Sequence, residues 1–376
     1  MLLTDSVNLA HAPSPANDSE RLLFRHLFET LVRLDCSGQV RPELATVWSP
    51  DPSGRTWTFS LRDGARFPDG SLVTAAQVIS GWRDRQTPVQ ALGIDSAVAL
   101  DPRRLAVTVR DQSHSAPALF AEPVLAATPP LDATAPATGW IAGPRRPRQP
   151  QLEFEVSPDD ARDALDRGAD LVVTRDPALV QYAASRPEFE TVPLPWTRTY
   201  VLLQPVGNEP IEGIALSDSA RRSLARDAVK GEARPAEPPF WWDTLDLCGT
   251  AGKSEISPQP SARVAYPRAD PVARGLAERI VALGRSGSPL RAAGLADSEF
   301  AAAVRQGDER AYVVPLPRQS RAPCRDPASF PVRASALPLI DTRARAIVRR
   351  GSPELTVDWD GTVRVLGEDP SGEDSP

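Results

Sequence analysis

Lysine is nearly missing from this 376-residue chain, in which long apolar runs are also lacking. Only Lys230 and Lys253 occur, so arginine carries almost all of the positive charge. The net charge of −6 argues against a surface that binds nucleic acid or another polyanion. No apolar run approaches the roughly 18 residues of a membrane-spanning helix. We therefore expect neither a membrane-spanning helix nor a nucleic-acid-binding surface. The length of the chain predicts about two domains.

Cysteine is limited to Cys36, Cys248 and Cys324, with no CxxC pair among them. Neither a zinc site nor a dense disulfide framework is therefore predicted. If the protein is exported, we expect Cys248 and Cys324 to pair, because both fall in predicted loops and closing so long a loop stabilises the folded state.

Catalytic motifs are missing as well. The three histidines are scattered through the first third of the chain, and no HExxH, GxSxG or Cys/His pair is present. We therefore expect no enzymatic activity, no cofactor and no metal site. Residues 249–254 (GTAGKS) approach a phosphate-binding loop, but Leu247 stands at the first glycine position. Pro258 and Pro260 also prevent a helix from following at once, so we expect a flexible loop that does not bind ATP.

A strand and a helix are predicted between Thr56 and Trp82. The first six residues alternate strictly between apolar and polar side chains, which is typical of a half-buried strand. Thr74 and Gln77 have the spacing of a capping box, and Val78 and Trp82 share one face of the helix that the box opens. Near the other end of the chain, Asp358–Gly361 (DWDG) lacks the final glutamate of a calcium loop and predicts a hairpin turn.

Other elements follow from alternation, helical spacing and turn residues. The predicted strands are at 2–9, 98–100, 105–109, 170–174, 199–203, 264–266, 311–315 and 337–342, the predicted helices are at 17–34, 220–228, 270–284 and 298–307, and 128–151 is expected to be a loop. Because strands alternate with helices between 263 and 315, we expect a mostly parallel sheet there, covered on both faces.

Three sequence stretches together resemble the signature of the peptide/nickel-type (family 5) extracellular solute-binding proteins of ABC transporters. They are LFETL at 27–31, RPELATVW at 41–48 and TWTFSLRDGARFPDGSLVTAAQVISGW at 56–82. The match is long and ordered here and thinner elsewhere. The resemblance implies an α/β, two-lobed, periplasmic-binding-protein-like (type II) fold whose lobes close about hinge crossings over a ligand cleft.

The resemblance also implies how the chain divides. Relative to this family the chain is short, with material expected to be missing between Phe330 and Leu337. Hinge crossings are expected near 204–210 and 332–338. We expect a first lobe from 1–205 and the return strands of 336–366, a second lobe from 206–335, and a disordered acidic tail at 367–376.

Aromatic and arginine side chains are the candidate ligand contacts, because ligand sites favour aromatic walls with a few placed polar groups. The candidates are Trp140, Trp196, Arg198, Tyr200, Trp241, Trp242, Arg325 and Asp326. Arg198 could hold a carboxylate in bidentate fashion. A core position is the competing interpretation for each tryptophan.

Residues 320–330 bear on the class of ligand. In this segment the resemblance implies a carboxylate that pairs with the free ammonium group of a bound peptide. The expected acidic position falls near Pro323, which Arg321 and Arg325 flank. Asp326 could replace it only if the alignment shifts by about three residues. Because a buried ammonium without a partner is costly, we expect an anionic or neutral ligand, or no tight ligand, rather than an ordinary free-N-terminus peptide.

The resemblance implies a monomeric receptor of an ABC importer that binds a small molecule or peptide-like ligand and delivers it to a permease. No nucleic-acid partner is expected. The chain starts at Met1 without the basic and apolar segments of an export signal. We expect a periplasmic or extracytoplasmic location with the signal removed, and the alternative is a cytoplasmic ligand sensor, or a degenerate paralogue, with the same fold.

Overall fold

A computed structural model describes residues 1–110, 116–128, 139–142, 150–157, 161–205, 223, 232–236, 261–283, 290–318 and 334–365. The chain divides into two units. The first unit comprises Met1–Pro195 and Ala344–Pro376, and the second comprises Trp196–Arg343. Within the described ranges, no helix is long and apolar enough to span a membrane.

The described strands are β1 Leu2–Leu3, β2 Val32–Leu34, β3 Val40–Pro42, β4 Ala45–Pro50, β5 Thr56–Leu61, β6 Ile94–Asp101, β7 Arg104–Val109, β8 Gly139–Ala142, β9 Leu152–Val156, β10 Leu171–Thr174, β11 Phe189–Pro193, β12 Arg198–Pro205, β13 Ala233–Pro235, β14 Ser261–Pro267, β15 Arg291–Leu295, β16 Glu309–Pro317, β17 Ala334–Thr342, β18 Arg345–Arg349, β19 Leu355–Val357 and β20 Val363–Val365. The described helices are α1 Asp18–Leu27, α2 Ala75–Asp84, α3 Gln86–Ala91, α4 Ala116–Leu119, α5 Ala161–Asp166, α6 Pro177–Ala184, α7 Pro271–Leu283 and α8 Asp297–Gln306, with short 3-10 helices at Leu9–His11 and Pro123–Leu125.

The main sheet of the first unit has the order β11-β18-β10-β1-β9-β8. In it β1 runs parallel to both β9 and β10, whereas β18 lies antiparallel between β10 and β11. Ile347 of β18 pairs with Val172 of β10, and both side chains are buried. The segment that returns after the second unit is therefore built into the middle of this sheet.

A four-stranded antiparallel sheet of order β4-β5-β7-β6 forms the other large part of the first unit. In β5 the buried side chains are Trp57, Phe59 and Leu61, which confirms the predicted alternation. The ring of Phe59 packs edge-on against Phe120 at 4.6 Å between centroids. The predicted capping box is also confirmed, because Thr74 and Gln77 exchange hydrogen bonds at the start of α2.

The second unit contains one sheet of order β13-β17-β12-β16-β14-β15. Alternate residues of β12 face two different cores. Tyr200 and Leu202 belong to the core that includes Leu276 and Ile280 of α7, while Val201 and Leu203 belong to the core with Phe300 of α8. The sheet is therefore covered on both faces, as predicted, with α7 on one face and α8 on the other.

The expectation of a mostly parallel sheet holds for the strands of 263–315 but not for the whole sheet. Within 263–315, β14 is parallel to both β15 and β16, whereas the pairings of β12 with β16 and β17 and of β13 with β17 are antiparallel. The β–α alternation of 263–315 covers only half of the sheet. The other strands come from 198–205, 233–235 and 334–342, whose partners local sequence does not reveal.

Two predictions near the N terminus are wrong in extent. The first strand is only Leu2–Leu3, and α1 ends at Leu27 rather than continuing to residue 34. Phe28 is already extended, and Thr30 Oγ1 donates to a Glu43 carboxylate oxygen at 2.6 Å. Leu31 is buried as expected, but it lies outside the helix. Extended pairing beyond residue 27 therefore replaces the predicted helical turns.

Two further placements are corrected. The predicted loop at 128–151 contains β8, which pairs with β9. The predicted strand at 337–342 exists, but as part of β17 it pairs with β12 in the second unit rather than returning to the first lobe. By contrast, the hairpin turn at Asp358–Gly361 is confirmed, since it joins β19 to β20 and Gly361 has a φ of 82°.

Candidate functional site

The structure describes four of the eight predicted ligand contacts. Trp140 lies in β8 of the first unit, opposite Phe154, and packs against that unit's core. Trp196, Arg198 and Tyr200 lie in the second unit, at the beginning of β12. The structure thus places Arg198 and Tyr200 on β12 and Trp196 two residues before it, whereas Trp140 lies in the other unit.

Tyr200 and Arg198 have different surroundings. Tyr200 is only 1% exposed, and its hydroxyl lies 3.0 Å from Asp270 Oδ2, while Asp270 Oδ1 accepts from two backbone N–H groups at the start of α7. Tyr200 therefore joins β12 to the α7 terminus from within the core. Arg198 is partly buried between β16 and β17, opposite Pro317 and Thr342.

Trp196 is contacted by two arginine side chains of the second unit. The guanidinium carbon of Arg343 lies 4.6 Å from the centre of the indole ring, and that of Arg234 lies 4.9 Å from it. Both distances are within the range of attractive cation–π contacts. Arg343 follows β17 directly and Arg234 is the middle residue of β13, so the end of β17 and the short strand β13 supply the two cations.

Two carboxylates hold these arginines. Glu232 accepts from Arg343 through both of its oxygens, with the Nε–Oε2 bond at 2.6 Å. Asp341 accepts from Arg234 Nε at 3.2 Å and from Thr199 Oγ1 at 2.8 Å. The set forms one cation–π and ion-pair group, called the Trp196 cluster below, made of Trp196, Thr199, Glu232, Arg234, Asp341 and Arg343.

Strand register explains how these distant residues meet. Thr342 of β17 lies opposite both Arg198 of β12 and Ala233 of β13. The start of β12, the start of β13 and the end of β17 therefore share one end of the sheet. The chain enters the second unit at Trp196 and leaves it at Arg343, so this end also carries both connections to the first unit.

Exposure differs within the Trp196 cluster. The Asp341 side chain is 10% exposed, and burial raises the pKa of its carboxyl group although Thr199 and Arg234 act in the opposite direction. The Arg234 side chain is 54% exposed, whereas that of Arg343 is 22% exposed. Asp341 is thus a buried anchor and Arg234 a solvent-facing cation that it positions.

The other predicted contacts, Trp241, Trp242, Arg325 and Asp326, lie outside the described residues. So do Cys248, Cys324, the loop at 249–254 and all of 220–228 except Ser223. Cys36 is exposed as a free thiol. In the part of the chain that the structure describes, no group of three or more His, Cys, Asp or Glu residues could hold a metal ion.

Sequence reasoning found Trp196 but missed its four charged neighbours. Arg234 and Asp341 are separated by 107 positions, and Glu232 and Arg343 by 111. No local spacing marks these pairs. The one usable signal was the predicted strand at 337–342, whose final acidic residue would have drawn attention once its pairing with β12 was known.

Comparison with known structures identifies the class of fold. The binding protein NikZ from Campylobacter jejuni, in complex with Ni(L-His), superposes with a TM-score of 0.67 at 12% identity, covering 96% of this chain and 97% of that one. AgaA from A. tumefaciens R10, in complex with agropinic acid, superposes with a TM-score of 0.66 at 15% identity, covering 98% of each chain. The chain therefore has the α/β, two-lobed fold of periplasmic binding proteins, as predicted.

Sequence comparison matches part of the chain to one protein family. Residues 39–163 match the family model of bacterial extracellular solute-binding proteins, family 5 Middle. The periplasmic murein peptide-binding protein MppA of Escherichia coli K12 is 34% identical over 103 residues, which cover 24% of this chain. Over this segment the chain is similar to the family 5 extracellular solute-binding proteins, which confirms the predicted resemblance.

The extent of the sequence match is limited. The matched segment spans 19% of the length of MppA. The family-model match at 39–163 includes two of the three stretches from which the resemblance was predicted, those at 41–48 and 56–82. It ends before Trp196, so the Trp196 cluster lies outside the family-model match.

Proposed function

We infer that this protein is a solute-binding receptor that captures a small molecule or a peptide-like ligand without converting it. The observation that carries this inference is the family 5 segment at 39–163 within a chain whose whole fold follows that of solute-binding proteins. The two units correspond in this proposal to the two lobes of such receptors. The Trp196 cluster and the neighbouring Arg198 supply aromatic and polar groups of the kind that line ligand sites.

The identity of the ligand does not follow from the ligands of the similar proteins. MppA is named for a murein peptide, NikZ is in complex with Ni(L-His) and AgaA is in complex with agropinic acid, and these ligands are chemically distinct. Exposed charge in the Trp196 cluster favours a polar ligand. An anionic or neutral compound remains the expectation, and a free-N-terminus peptide is not favoured.

Export and delivery complete the proposal. MppA is named as a periplasmic protein, and the same location outside the cytoplasmic membrane is proposed here. The partner is the permease of an ABC importer, and the receptor acts as a monomer. Its affinity for ligand, rather than any catalytic step, sets what is transported.

A thermal-shift panel tests the function. The panel contains short peptides, N-acetylated peptides, sugar acids, amino acids and the nickel–histidine complex, with free nickel and free histidine as matched controls. A compound that binds only the folded protein raises its melting temperature by mass action, and the rise grows with concentration. We expect at least one compound to act this way. A flat response from the whole panel, at concentrations up to the millimolar range, would contradict the proposal.

A further inference from the structure

Arg234 is a solvent-facing arginine whose position is fixed from two sides. Its Nε donates to Asp341 at 3.2 Å, and its guanidinium carbon lies 4.9 Å from the ring centre of Trp196. Asp341 is itself held by the Thr199 hydroxyl at 2.8 Å. An exposed arginine normally samples many rotamers, and fixing it on binding costs entropy. Here the contacts with Asp341 and Trp196 already restrict the side chain, so less entropy is lost when a ligand binds.

The terminal nitrogens of Arg234 differ from its Nε in their hydrogen bonding. Only its Nε has a hydrogen-bond partner in the described part of the chain, and its side chain is 54% exposed. Arg343 on the same indole differs, because both oxygens of Glu232 engage it. The two cations of the Trp196 cluster are therefore not equivalent: one is satisfied by its carboxylate, and the other presents two N–H-bearing nitrogens to solvent.

We propose that the Nη1 and Nη2 edge of Arg234 is the anion-binding element of this receptor, and that it takes a carboxylate or phosphate group of the ligand in bidentate fashion beside the face of Trp196. The planar fork of a guanidinium matches two oxygens of such a group, and charge-assisted bonds of this kind are stronger than neutral ones. The indole adds an apolar wall for the part of the ligand next to the anion. Asp341 and Thr199 act as positioning residues.

This inference rests on the proposed function for its biological role, but the anion site can be tested without the natural ligand. The probes are N-acetylglycine, its neutral counterpart N-acetylglycinamide, and inorganic phosphate. The readout is the indole N–H signal of Trp196 in ¹⁵N-labelled full-length protein, assigned by comparison with a Trp196→Phe variant. We expect a saturable shift with N-acetylglycine, with phosphate or with both, and none with N-acetylglycinamide. The responding probe identifies the carboxylate or the phosphate as the source.

Three variants distinguish anion binding at Arg234 from non-specific attraction of anions by positive charges of the protein. Arg234→Gln should weaken binding of the responding anion about tenfold or more, because a charge-assisted pair is lost. Arg234→Lys keeps the charge without the fork and should bind more weakly than wild type but better than Arg234→Gln. Arg291→Gln removes an exposed charge from β15 of the same unit and should leave binding unchanged. An unchanged melting temperature confirms that each variant is folded, and Arg234→Lys preserves the test if Arg234→Gln is not.

Two results would overturn the inference: an equal response to the neutral amide, or anion binding that persists in folded Arg234 variants. Failure here and failure of the proposed function are distinguishable. If an anionic compound from the panel binds wild type and Arg234→Gln equally, the receptor function stands and the anion site does not. If the simple anions bind at Trp196 while no panel compound stabilises the protein, the anion site stands and the receptor function does not.

Discussion

Arg364 donates from Nη1 to a carboxylate oxygen of Glu43 at 2.5 Å, across 321 positions of sequence. The same guanidinium donates from Nε to Asp358 at 2.5 Å. Glu43 and Asp358 are both buried, with side chains 1% and 6% exposed. Arg364 therefore joins the end of the described chain to the β3–β4 connection inside the first unit, where two buried carboxylates share its guanidinium group.

Replacing Arg364 should destabilise the first unit strongly. Arg364→Gln removes the cation that Glu43 and Asp358 share and leaves Asp358 with Arg33 at 3.3 Å, and breaking a buried ion pair from one side typically costs about 3–5 kcal/mol. The free energy of unfolding from urea titration measures the loss. Arg104→Gln is the matched control, since Arg104 and Asp101 form an exposed pair and its loss should cost less than about 1 kcal/mol. Equal losses in the two variants would refute the structural role given to Arg364.

Asp360 should make stability depend on pH. Burial would raise the pKa of its carboxyl group, but Arg25 and Arg21, whose guanidinium nitrogens lie 3.1 and 3.5 Å away, outweigh burial and hold that pKa below its usual range. Because the folded pKa is lower than the unfolded value of about 3.9, the stabilisation is complete above that pH. It is lost as the pH falls from about 4 toward the folded pKa.

The variant Asp360→Asn isolates this contribution. At pH 7 it should unfold more easily than wild type, by about 3 kcal/mol, because Arg25 loses its buried anionic partner. Below pH 4 the difference in unfolding free energy should shrink, since Asp360 then takes up a proton in the unfolded wild-type chain while it stays charged in the folded one. Denaturant titrations at pH 7, 5 and 3.5 give the comparison. A difference that stays constant over this range would show that the charge of Asp360 contributes nothing.

The capping box of α2 gives a smaller effect. Thr74 Oγ1 accepts from the Gln77 backbone N–H at 3.3 Å, and the Thr74 N–H donates to the Gln77 side chain at 2.9 Å. Thr74→Ala removes one of the two bonds and should lower the unfolding free energy by about 1 kcal/mol. Ser80→Ala removes an exposed hydroxyl inside the same helix and should be neutral or slightly stabilising. If both variants are equally stable, the cap makes no contribution.

Local elements could be predicted from the sequence because their causes are local. The alternation in β5 and the capping box of α2 each depend on a few neighbouring residues, and both are confirmed. The end of α1 is different. Leu31 continues the helical spacing, but Glu29 pairs with Arg62 and Thr30 with Glu43, and these distant partners stabilise an extended chain. Helical spacing is a local pattern, so it cannot reveal hydrogen-bond partners that lie elsewhere in the chain.

The candidate site shows the same division. Trp196 stands out in the sequence as an aromatic residue close to the predicted hinge crossing, whereas Arg234, Asp341 and Arg343 reach it only through the order of strands in the second unit. That order is set by antiparallel pairings across more than a hundred residues. Only the folded chain reveals which of the many arginines shares an indole with another, and which of the two has terminal nitrogens without a hydrogen-bond partner among the described residues.

Isothermal titration with the compound that stabilises the protein most in the thermal-shift panel tests the receptor function most directly. The account predicts saturable binding with one ligand per chain, and no chemical conversion of the ligand when it is recovered afterwards. It also predicts affinity reduced about tenfold or more by Arg234→Gln and unchanged by Arg291→Gln if the ligand is anionic. Non-saturable heats, or recovery of a chemically altered ligand, would contradict the conclusion that this chain is a solute-binding receptor.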